Sequence, residues 1–113
     1  MGLLLACLLG LHVLASTLGC GHAQAVQGYA RVASVDGRMA ITMCETTRRY
    51  RVGVATSSAA MAMGEALERA RSVGESFVYI VGYEETSPSG ARVDPPTLAQ
   101  GSVRVMTDRP DGC

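Results

Sequence analysis

The sequence predicts a mainly β domain with a single helix, its elements in the order β-β-β-α-β-β. Three observations carry this. Stretches rich in β-branched and aromatic residues, several of them alternating, recur from residue 28 onward. The apolar period becomes helical only between residues 57 and 75. Gly, Pro, Asp and Ser punctuation separates the stretches.

The first strand is "GYARVASV", residues 28–35, with Tyr29, Val32 and Val35 as strand formers. Asp36-Gly37 follows, a strong two-residue hairpin signal. "RMAITMC", 38–44, alternates Met39, Ile41 and Met43 against small or polar neighbours and reads as the returning strand. "ETT" makes a turn. "RRYRVGVAT", 48–56, puts Tyr50, Val52 and Val54 on one face and Arg49 and Arg51 on the other. In the helix, Met63, Leu67 and Ala70 form a stripe flanked by Ala59, Ala60 and Ala66. Ser57 or Ser58 supplies the N-cap, Glu65 and Arg69 an i, i+4 pair, and Gly74 the stop. "SFVYIVGYEE", 76–85, is the clearest strand, 86–101 reads as a loop, and "SVRVMT", 102–107, is the last short strand. A helix between the third and fourth of five strands is the arrangement of a small OB-like five-stranded barrel, its bottom plugged by Met63 and Leu67. An α+β roll of the same order is the alternative. Neither a repeat nor a second domain is visible.

Residues 2–18 carry no charge, end in small and polar residues, and are short for a span of about 20 residues, so they read as an export signal. Two cuts fit. Ala23-Gln24-Ala25 suits ordinary signal peptidase. Thr17-Leu18-Gly19-Cys20 resembles the bacterial lipobox, which implies that Cys20 is lipidated and becomes the new N-terminus. Gly21 after it implies the outer membrane. The organisation expected is a lipoprotein signal peptide at 1–19, a tether at 20–27 and the OB-like domain at 28–113. Plain secretion and a retained apolar helix are the alternatives.

Cys7 leaves with the signal in either cut. Cys44 and Cys113 remain beside Cys20, and in an oxidising compartment such a pair usually joins. Closing about 70 residues would stabilise by roughly 4 kcal/mol. Two free thiols, or metal ligation without CxxC support, are the other readings.

Ten Arg balance ten Asp and Glu, and there is no Lys. A neutral chain has no electrostatic case for nucleic acid. The one local excess is Arg48, Arg49 and Arg51, either a solvated strand face or a contact for an anionic surface such as lipopolysaccharide or an acidic partner protein. Chemistry is sparse. Only His22 stays after a cut at Cys20, which leaves no Ser-His-Asp or Cys-His site. Glu84 and Glu85 are neighbours on a strand and face opposite sides. Glu45, Asp94, Asp108 and Asp111 read as solvated turn residues. Met39, Met43, Met61, Met63 and Met106 could offer thioethers to Cu(I), but their positions read as filler in a core with little Phe. The expectation is a non-enzyme with no cofactor and no metal.

Together, the Gly-Tyr strand, the hairpin ending at Cys44, "RRYRV", "EALERAR", "FVYIVGYEE" and the late "VRV…P…C" resemble the OB-type domain of NlpE-like envelope lipoproteins over residues 28–113. That resemblance implies an outer-membrane lipoprotein facing the periplasm, a Cys44–Cys113 bond, and an interaction module linked to envelope stress or copper homeostasis. Its partners would be the membrane, through the N-terminal lipid, and an envelope protein. The CxxC domain of fuller members is absent here. A shorter stretch, "SPSGARVDP" at 87–95, resembles the inhibitory loop of lysozyme inhibitors and implies roles for Ser89 and Arg92. A hydrolase inhibitor is therefore the alternative function, and a plain secreted binding domain the third.

Overall fold

A computed structural model describes residues 24–85 and 94–113. The leader, Cys20, Ser89 and Arg92 lie outside the described residues. Five strands and one helix follow in the expected order: β1 (Ala25–Val35), β2 (Arg38–Met43), β3 (Arg49–Ala55), α1 (Ser57–Val73), β4 (Glu75–Glu84) and β5 (Thr97–Met106). The strands close into a ring ordered β1-β2-β3-β5-β4. All neighbours are antiparallel except β3 and β5, which run parallel. This is the OB-like architecture the element order implies.

β1 is the long strand that lets the ring close. Its first part pairs with β4, from Ala25↔Tyr83 to Ala33↔Glu75, and its second part with β2, from Ala30↔Met43 to Val35↔Arg38. Asp36 and Gly37 turn that hairpin with positive φ at both positions, 54° and 81°. The strand starts at Ala25, so residues 25–27, read from sequence as tether, belong to the barrel.

α1 spans one end of the ring and packs against β1, β3, β4 and β5. Its buried stripe is Ala59, Met63, Ala66 and Ala70, with Leu67 partly buried beside it. The small alanines let the helix backbone approach the strands, and Met63 fills the space they leave. Thr56, rather than Ser57 or Ser58, caps the helix: its hydroxyl accepts from the Ala59 amide at 3.2 Å. Gly74 ends it in the left-handed region at φ 102°, its amide donating to Ala70. The core within the ring is Val32, Ile41, Tyr50, Val78, Ile80 and Leu98 around Met63. Among the described residues no helix is long and apolar enough to cross a membrane.

Two local readings are corrected. β5 begins at Thr97 and not at 102, because Leu98, Ala99 and Gln100 are buried between β3 and β4. The sequence there lacks an alternating pattern because successive residues are buried, so both faces of the strand are covered. Val54 is 69% exposed rather than in line with Tyr50 and Val52. A register shift between Val52 and Ala55 turns Gly53 toward β5, where a Cβ would lie 2.7 Å from the Leu98 carbonyl.

The tail after β5 runs back over the outside of the sheet. The Arg109 guanidinium sits 5.0 Å above the Phe77 ring and 2.9 Å from Glu75, which also meets Arg31 at 3.5 Å. The tail ends at Cys113, bonded to Cys44 with Cα atoms 4.9 Å apart. The pairing expected of these two thiols is thus present.

Candidate functional site

Strand alternation splits the arginine run that looks continuous in sequence. Arg49 and Arg51 project on the outer face of β3, and Tyr50 points into the core, 2% exposed. Arg48 goes with Tyr50. Its Nε lies 2.9 Å from Glu84 Oε2, and its guanidinium sits 5.6 Å from the centre of the Tyr50 ring. The Tyr50 hydroxyl donates to the same Glu84 oxygen at 2.9 Å. This cluster stands at one mouth of the barrel, in a cleft of about 230 Å³ between the start of β1, the β2–β3 turn and the end of β4. Burial raises the Tyr50 hydroxyl above the usual tyrosine range, with the Glu84 hydrogen bond and charge adding to it. The Glu84 carboxylate holds Arg48 more firmly charged. Arg48 and Tyr50 thus both take Glu84 as their partner within the cluster.

Arg49 and Arg51 meet a different neighbour. The β1–β2 hairpin brings Arg38 to the same groove, a cavity of about 180 Å³ whose lining also includes Asp36, Met39 and Pro95. Three guanidinium groups thus come from two adjacent strands onto one concavity, with an apolar patch from Met39 and Pro95. Among the described residues, Arg38, Arg49 and Arg51 have no carboxylate within 4.0 Å; the ion pairs involve Arg31, Arg48, Arg69, Arg71 and Arg109 instead. The groove lies on the β2–β3 face, between the β1–β2 turn and the segment that follows β4. In OB-like barrels that face and those two loops hold ligands.

Sequence reasoning found Arg49 and Arg51, included Arg48 with them, and missed Arg38 and Pro95. The signal for Arg38 was present: a two-residue Asp-Gly turn places residue 38 opposite Val35, at the start of the strand that pairs with Arg49. Glu84 and Glu85 face apart as their adjacency requires. Glu85 accepts from the Val54 amide at 3.2 Å, while Glu84 serves Arg48 and Tyr50. The methionines do not share a site: Met43 and Met63 are buried in the core, Met39 packs against it, and Met61 is 78% exposed on the helix. Among the described residues no three His, Cys, Asp or Glu side chains lie close enough together to hold a metal ion. Comparison with protein-family models, curated proteins and solved structures finds no match to this chain.

Proposed function

We propose that this chain is a non-catalytic binding module of a bacterial cell envelope. It is exported, lipid-anchored through Cys20 at the outer membrane, and faces the periplasm. It holds an acidic patch of an envelope protein against Arg38, Arg49 and Arg51.

The observation that carries this reading is the groove itself. Arg38, Arg49 and Arg51, which have no carboxylate within 4.0 Å among the described residues, line one concavity on the β2–β3 face. Three arginines share the groove with the single carboxylate of Asp36, so the surface carries a net positive charge that an anionic ligand would neutralise. Arginine forks suit carboxylates geometrically, because each can offer two parallel donors. The uncharged remainder, Met39 and Pro95, gives a partner an apolar contact beside the charged one.

The test is titration of the protein with a hexa-aspartate peptide at low and physiological salt. The expected result is saturable binding that weakens with salt. The Arg38→Ala/Arg49→Ala/Arg51→Ala chain should lose at least tenfold in affinity, about 1.4 kcal/mol. Arg48→Ala should bind as the parent does, since Arg48 is committed to Glu84. Equal binding by the triple variant and the parent would remove the groove from the reading. Preference for a phosphorylated glycolipid over the peptide would shift the ligand class away from protein.

A further inference from the structure

We propose that the tyrosine-bearing outer face of β1, β4 and β5 lies against the lipid surface to which the chain is tethered. The inference rests on anchoring at Cys20 and deepens it, because it assigns the domain an orientation on the membrane.

The solvent face of an antiparallel sheet ordinarily carries polar residues. The outward positions of β4 are instead Phe77, Tyr79, Val81 and Tyr83. Across from them on β1 stand Arg31, Tyr29, Gln27 and Ala25. Tyr29 and Tyr79 meet edge to face with ring centres 5.0 Å apart. The disulfide-held tail covers only the Phe77 end, which is 8% exposed. The rest stays open: Tyr29 and Val81 are each 37% exposed and Tyr83 is 48% exposed. The rim is polar. The Gln27 amide donates to the Tyr79 hydroxyl at 2.7 Å, and Arg104, with no carboxylate within 4.0 Å among the described residues, stands 5.6 Å from the Tyr79 ring centre.

Two observations select the occupant. The first is area. At roughly 200 Å² per aromatic side chain, the open parts of this ridge come to about 250 Å². A stable dimer needs about 800 Å² from each partner, so a second copy is a poor fit. The second is where the chain leaves the barrel. Ala25 pairs with Tyr83, and the Gln24 carbonyl accepts from the Glu84 amide at 2.9 Å. Only four residue steps separate Gln24 from Cys20. Fully extended they span about 14 Å. An acylated Cys20 therefore keeps the Tyr83 corner close to the headgroups. Tyrosine, with an apolar ring and a hydroxyl tip, suits that boundary. Arg104 and Gln27 supply donors for headgroup oxygens. With β4 toward the lipid, the Arg38–Arg49–Arg51 groove on β2 and β3 lies across the ring and faces away from it. The same tether then leaves the binding face free.

The chain has no Trp, so one can be added as a depth probe. The Tyr83→Trp and Met61→Trp chains, acylated in a bacterial host, are reconstituted into phosphatidylethanolamine–phosphatidylglycerol vesicles containing lipid spin-labelled near the headgroup. Emission of the Tyr83→Trp chain should fall at least twofold relative to unlabelled vesicles, and that of the Met61→Trp chain by less than a fifth. Adding Tyr29→Ser to Tyr83→Trp should relieve part of the quenching. Equal quenching at the two positions, or none at either, overturns the proposal. Quenching displaced by soluble oligosaccharide also overturns it and makes the face a sugar site. Intact mass separates the two levels: an unacylated Cys20 removes both anchoring and docking, whereas an acylated Cys20 with equal quenching removes docking alone.

Discussion

Replacing Cys44 and Cys113 by alanine removes the bond that holds the tail across the sheet, and its effect can be worked from the fold. The bond joins residues 69 apart in sequence. In the chain-entropy model, closing a loop of that length removes about 4.4 kcal/mol of denatured-state freedom at 25 °C. The tail's own contacts add little. The Arg109–Glu75 pair is more than half exposed on the arginine side, so it contributes well under 1 kcal/mol. The Arg109–Phe77 contact adds on the order of 0.5–1 kcal/mol. A domain of this size has a total stability of roughly 5–13 kcal/mol. The double variant should therefore lose about 4 kcal/mol, and its midpoint should drop by about 20 °C or more. Urea unfolding followed by circular dichroism measures this. The urea dependence should also steepen, because an uncrosslinked unfolded chain exposes more surface. Reduced wild-type protein provides the same comparison if the variant fails to fold. A loss below about 1 kcal/mol, with unchanged steepness, would refute the reasoning: the barrel would then hold the tail without help, and the unfolded chain would gain no freedom from losing the bond.

Three further outcomes follow from the packing. Tyr50 titrates above its unfolded value of about 10, so its neutral form belongs to the fold. Its contribution should be complete below about pH 10 and lost as pH rises through the folded value; Tyr50→Phe should remove that part of the alkaline decline and cost about 1 kcal/mol at neutral pH through the lost bond to Glu84, as pH-dependent urea titrations would report. Gly82→Ala should cost about 1–3 kcal/mol, because a Cβ there would collide with the Ala99 carbonyl on β5 and force β4 and β5 apart; faster amide exchange at β5 positions paired with this part of β4 would localise the damage. Thr56→Ala should cost about 1 kcal/mol by leaving the Ala59 amide uncapped, while Ser57→Ala and Ser58→Ala should be nearly silent in thermal melts.

The sites where sequence reasoning succeeded are those governed by near neighbours. The Asp36-Gly37 turn and the Gly74 stop depend on interactions within a few residues and are where the pattern puts them; in the helix, Ala59, Met63, Ala66 and Ala70 are buried as the pattern implies, whereas Leu67 is only partly buried and Ala60 is exposed. The sites it misjudged depend on distant partners. Leu98, Ala99 and Gln100 form strand by pairing with β3 and β4, and because successive residues are buried on both faces the segment shows no alternation. Val54 leaves the face of Tyr50 because β5 crowds β3 at Gly53. The candidate groove was half legible. Alternation separates Arg49 and Arg51 from Arg48, but charge counting along the chain had merged them.

The sequence by itself determined the order of elements, the change of period that marks the helix, and the neutral, arginine-only charge that argues against a phosphate backbone as partner. These are properties of local spacing and of sums. The tertiary structure alone decided that Pro95 joins the arginine groove, that Arg48 is given to Glu84, and that Tyr29 meets Tyr79 on an open face. Those outcomes follow from strand register. A barrel that closes β1 against both β2 and β4 brings side chains from distant parts of the sequence onto one surface. No local pattern encodes which of them will meet.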